Sequence, residues 1–77
     1  MNAKQRKTLQ GYVESLGEIK NAIDEMTEEE QDKYDNMPEG LQESERGEAM
    51  QKAIENLESA FSSLEEAIDY INEIVEG

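Results

Sequence analysis

The sequence predicts an all-α protein, an antiparallel helical hairpin that pairs with a second copy into a four-helix bundle. Three observations lead there. Apolar residues recur at helical spacing in two segments of similar length. The single proline, Pro38, and Gly40 lie in the stretch between those segments. The second segment carries three adjacent apolar columns, a face too broad for one neighbouring helix to cover.

The first element reads from Leu9. Apolar residues fall at Leu9, Tyr12, Leu16, Ile19, Ile23 and Met26. Steps alternating between three and four make a heptad seam of about two and a half repeats. Val13 widens the stripe. Gly11 and Gly17 are expected on the exposed face, each costing about 0.8–1 kcal/mol relative to Ala.

Thr27 to Glu43 shows no sustained periodicity. Thr27 and Glu30 have the spacing of a capping box, which would break the first helix there. Against a break, Glu28 to Asp35 are mostly good helix formers, and Pro38 disfavours helical dihedrals in the residue before it. The expected boundaries are arm one over 3–36, a turn over 37–43 and arm two over 44–76. Ser44 is the candidate N-cap of the second arm.

In the second arm Met50, Leu57, Leu64 and Ile71 recur every seven residues, as do Ile54, Phe61, Ile68 and Val75. Ala53, Ala60, Ala67 and Ile74 form the third column. In an antiparallel pair, facing residues have numbers with a constant sum. A sum near 80 pairs Leu9 with Ile71, Leu16 with Leu64, Ile19 with Phe61 and Met26 with Ile54, and sets Tyr34 beside Arg46. The alanine column is then left facing outward. One domain is the expectation at this length.

Composition narrows function. The 77 residues hold 20 acids against seven Lys and Arg, a net charge of −13, with no His, Cys or Trp. Without His or Cys there is no Ser-His triad, thiolate nucleophile or imidazole base. The chain is therefore read as non-enzymatic, with no cofactor. Carboxylates near Gly40 lack the order of a calcium loop, so no metal site is assigned. Direct nucleic-acid binding is not expected, because phosphate contacts need clustered Lys and Arg. No apolar run suits a membrane span, and Lys4, Arg6 and Lys7 are not followed by the apolar stretch of a secretory leader. The expected setting is the cytoplasm.

The candidates for recognition fall into three groups. Glu28, Glu29 and Glu30 head an acidic run that can dock a basic groove or simply solvate a helix. Lys4, Arg6 and Lys7 could hold a small anion, or compensate Glu73 and Glu76 across the hairpin. Tyr34, Met37, Leu41 and Arg46 could present an apolar and guanidinium surface at the loop end, Tyr and Arg being frequent interface anchors. Alternatively, Arg46 straps the arms through Asp32 or Asp35, and Gly47 makes room for the Tyr34 ring.

Three stretches carry a resemblance. They are Lys4-Gln-Arg-Lys7, the central Asp35-Asn-Met-Pro-Glu-Gly-Leu-Gln-Glu-Ser-Glu-Arg-Gly-Glu48, and the acidic helix ending Leu64-Glu-Glu-Ala-Ile-Asp-Tyr-Ile71. In these the chain resembles small acidic proteins encoded by phages and mobile elements of Gram-positive bacteria. The resemblance implies a bacterial host cell and an accessory protein that binds and inhibits or sequesters a host factor, a defence component among the candidates. A structural assembly part, or a sponge holding a small nucleotide signal between protomers, are the alternatives. A homodimer and a host protein are the expected partners.

Overall fold

A computed structural model describes all residues 1–77 as helices α1 (Ala3–Asp35), α2 (Glu39–Gln42) and α3 (Glu45–Glu76), without strands. The Cα trace measures 58 × 14 × 13 Å, so the long helices lie side by side along one axis. At 1.5 Å per residue each is about 50 Å long.

Each long helix starts on a side-chain cap. Asn2 accepts from the Gln5 amide at 2.8 Å, and the Gln5 side chain accepts from the Asn2 amide at 3.2 Å. This reciprocal pair quiets two amides that the helix leaves without partners. Ser44 caps α3, accepting from the Gly47 amide at 3.4 Å, while its hydroxyl donates to the Leu41 carbonyl.

Thr27 does not cap anything. Its hydroxyl donates to the Ile23 carbonyl at 2.7 Å from within an unbroken α1, so the capping-box break does not occur. A hydroxyl bonded back to the preceding turn satisfies itself and leaves the helix ladder intact.

α1 ends where Tyr34 offers its carbonyl to two donors, the Met37 amide at 3.1 Å and the Gln42 side chain at 2.8 Å. Pro38 then begins the single turn of α2, its φ of −56° already suited to the approach. Gly47 is one of two buried residues. A Cβ there would lie 2.6 Å from the Leu41 carbonyl oxygen and closer still to that of Gln42. The expected role of Gly47, room for the Tyr34 ring, is thus replaced by another: it lets the backbone of α2 rest on the first turn of α3.

The packing of α1 on α3 also differs from the expected seam. The half-buried positions of α1 run Arg6, Leu9, Val13, Leu16, Lys20, Ile23, Thr27, Glu30 and Tyr34, in alternating steps of three and four, and Gly17, expected on the exposed face, is half-buried beside Leu16. Tyr12, Ile19 and Met26, expected in the seam, are 59, 50 and 55% exposed. α3 turns Met50, Leu57, Leu64 and Ile71 inward together with Ile54, Phe61, Ile68 and Val75. Of these eight, Ile54 is buried and the rest are half-buried.

Cross-contacts fix the offset. Lys20 reaches Glu65 at 3.9 Å and lies 5.3 Å from the centre of the Phe61 ring. Gln31 and Tyr34 share a groove with Gln51, Ile54, Glu55 and Glu58. Numbers rise along α1 as they fall along α3, with sums centred near 85 rather than 80. Tyr34 accordingly meets Gln51 and Ile54, not Arg46. The loop end explains the slip: the Gln42–Tyr34 bond and the seat of α2 on Gly47 determine where α3 starts relative to α1.

Candidate interaction surfaces

The heptad columns give the pair of long helices two unlike sides. A helix turns 100° per residue, so the position before an inward one faces one flank and the position after it faces the other. Before the inward Val13, Lys20, Thr27 and Tyr34 stand Tyr12, Ile19, Met26 and Lys33. Before the inward Gly47, Ile54, Phe61, Ile68 and Val75 stand Arg46, Ala53, Ala60, Ala67 and Ile74. Because the numbering reverses between the helices, equal rotations lead to the same side. That side is apolar along its length, with Lys33 and Arg46 at the loop end.

The positions after the inward columns read differently. They are Glu14, Asn21, Glu28 and Asp35 on α1, and Glu48, Glu55, Ser62, Asp69 and Glu76 on α3. None is apolar. The acidic charge is therefore concentrated away from the apolar side, and Glu55, Glu58, Ser59, Ser62 and Ser63 line an open polar surface there.

The loop end holds a groove lined by Lys33, Met37, Leu41, Arg46 and Met50, without a carboxylate. Lys33 is held by Glu30 at 3.1 Å. Arg46 is exposed and makes no ion pair, so the expected strap to Asp32 or Asp35 is absent. The physical reason is its column: Arg46 lies on the flank, one position before the buried Gly47. Three of the four loop-end candidates, Met37, Leu41 and Arg46, share this groove, while Tyr34 lines the neighbouring one with Ile54.

The other candidates do not gather. Glu28, Glu29 and Glu30 are 100° apart in succession, so they point around the helix rather than at one partner; only Glu30 is half-buried. Lys4, Arg6 and Lys7 spread the same way. Lys4 lines a groove with Met1, Thr8, Leu9 and Tyr12, Arg6 lies half-buried with its Nε buried and unpartnered, and Lys7 is exposed. No ion pair joins them to Glu73 or Glu76, which corrects the expected compensation across the helices. No group of three carboxylates is placed to hold a metal ion, and no helix is long and apolar enough to cross a membrane.

Compared with protein-family models, curated proteins and solved structures, the chain matches none of them. The flank residues Tyr12, Ile19, Met26, Ala53 and Ala60 are the surface that sequence reasoning placed only in part. The alanine column was legible as outward-facing. The α1 ridge was hidden because a seam through Tyr12 and one through Val13 share Leu9, Leu16 and Ile23.

Proposed function

We propose that the protein is a non-enzymatic interaction protein whose two long helices form an antiparallel hairpin, whose hairpins dimerise into a four-helix bundle, and whose loop end docks a protein partner. The numbering that reverses between Lys20–Glu65 and Tyr34–Ile54 supports the hairpin. The apolar flank supports the bundle. Occupying the partner is the mechanism: a small acidic bundle inhibits or sequesters what it binds by covering it.

One observation carries the choice of the loop end. In a chain of net charge −13, the groove of Lys33, Met37, Leu41, Arg46 and Met50 joins the unpaired Arg46, and Lys33 in its pair with Glu30, to three long apolar side chains. Such a surface suits a partner segment bearing a carboxylate or phosphate beside an apolar residue, since a guanidinium pairs bidentately with either anion. Tyr34, Met37, Leu41 and Arg46 are the proposed contacts. The resemblance to phage-encoded proteins makes a host factor in the bacterial cytoplasm the expected partner, a defence component among the candidates. The scattered Lys4, Arg6 and Lys7 lend less support to a nucleotide held between protomers.

The test compares three baits against host lysate: wild type, Arg46→Ala, and Glu28, Glu29 and Glu30 all changed to Gln. A partner kept by the triple variant and weakened about thirtyfold by Arg46→Ala supports the loop end. A partner held fully by Arg46→Ala and lost with the three glutamates assigns binding to the acidic surface instead.

A further inference from the structure

The elongated molecule leaves its apolar flank uncovered, and the pattern of that flank says how a second copy lies on it. The accessible surface is 5846 Å² for 8.8 kDa. A compact monomer of that mass exposes about 4,800 Å². The difference, about 1,000 Å², is close to the roughly 800 Å² that each partner contributes to a standard stable interface. The flank itself supplies the apolar part: Tyr12, Ile19 and Met26 at half exposure or more, Ile74 at 44%, and the exposed Ala53 and Ala60.

Two hairpins facing each other through this flank have two possible twofold arrangements. In one, both loop ends lie at the same end and α1 of each protomer covers α3 of the other. In the other, the loop ends lie at opposite ends and each helix covers its own copy. We infer that the second copy takes the first arrangement, an inference that rests on the bundle reading above.

Side-chain size separates the two arrangements. The α1 flank is a ridge of large residues, Tyr12, Ile19 and Met26, at seven-residue intervals. The α3 flank is a furrow at the same interval, Ala53, Ala60 and Ala67, closed by Ile74. With facing numbers summing to about 85, Ile19 falls about one residue from the level of Ala67, Met26 about one from Ala60, and Tyr12 about one from Ile74, where the furrow closes. Ridge into furrow keeps all the helices at similar spacing. Ridge on ridge with furrow on furrow would wedge the bundle open along one edge.

Charge does not separate the two arrangements: each helix is basic near its start and acidic towards its end, so both set cations near acids.

The consequence is functional. With both loop ends together, the two loops that carry Met37 and Leu41 lie at one end of the bundle, on either side of the twofold axis. A partner that is itself repeated can then be held at two points, which raises avidity without any new kind of contact.

A spin label at residue 40 tests the arrangement. The chain has no cysteine, Gly40 is exposed, and nothing lies within 4 Å of a Cβ there, so Gly40→Cys gives one label per protomer in undisturbed surroundings. Light scattering on the same sample reads the bundle, and dipolar spectroscopy reads its direction. Dimer mass with a label separation below about 30 Å, as helices about 10 Å apart require, supports the inference. Dimer mass with a separation approaching the 58 Å length of the molecule overturns the inference and leaves the bundle standing. Monomer mass overturns both.

Discussion

Gly47→Ala is the substitution that most sharply separates local preference from packing. By propensity alone it should help, since Gly in a helix interior costs about 1 kcal/mol relative to Ala. The structure reverses the sign. An added methyl would stand 2.6 Å from the Leu41 carbonyl oxygen and nearer still to that of Gln42, and both obstacles are backbone. To admit the methyl, α2 must lift from α3, straining the Gln42 bond to the Tyr34 carbonyl. Overpacking of this kind costs about 1–3 kcal/mol, and the propensity gain offsets part of it. A net loss of up to about 2 kcal/mol lowers the midpoint of a chain this size by up to roughly 15 °C. Gly11 and Gly17 serve as controls, since nothing lies within 4 Å of a Cβ at either. Gly11→Ala and Gly17→Ala should each stabilise by about 1 kcal/mol. Thermal unfolding followed by helical circular dichroism, at one fixed protein concentration, reads all three. If Gly47→Ala melts at or above the wild type, α2 is not seated on α3 and the loop-end geometry is wrong.

Other expectations follow from the same contacts. Phe61→Ala should cost about 2 kcal/mol in urea unfolding, less than the 3–5 kcal/mol of a fully buried ring, because Phe61 is only half-buried beneath Lys20; a change near zero would show the ring unpacked. Arg46→Ala should leave stability within about 0.5 kcal/mol, since Arg46 makes no ion pair, and a larger loss would reveal a strap between the helices. Ile19→Glu should abolish self-association by placing a charge in the alanine furrow, with a helical monomer remaining in sedimentation velocity. Added salt should tighten the dimer by screening two chains of −13 each, and a dimer that weakens steadily with salt would contradict a mainly apolar interface.

The helical class was legible because both long segments carry seven-residue repeats, and Ser44 as a cap because a hydroxyl residue precedes the second repeat. Two things were hidden, for different physical reasons. α1 offers two overlapping seams, one through Tyr12, Ile19 and Met26, the other through Val13, Lys20 and Thr27. Hydrophobicity favours the first, yet packing selects the second, where the Lys20 stem lies over Phe61 and Thr27 bonds back to Ile23. The offset between the helices was the second. It is set by side chain-to-backbone contacts at the loop end, Gln42 on Tyr34 and the bare Cα of Gly47 under α2, which leave no periodic trace. The candidate surfaces divide the same way: Met37, Leu41 and Arg46 come together in one groove, while Tyr34 lines the next because of the shifted offset.

Sedimentation equilibrium of the unlabelled wild-type protein, from micromolar concentration upward, bears most directly on the central claim that the flank of Tyr12, Ile19, Met26 and the alanine column is covered by a second copy. The expected result is a single species of twice 8.8 kDa. A mass of 8.8 kDa at every concentration would contradict it and leave that flank to a different occupant.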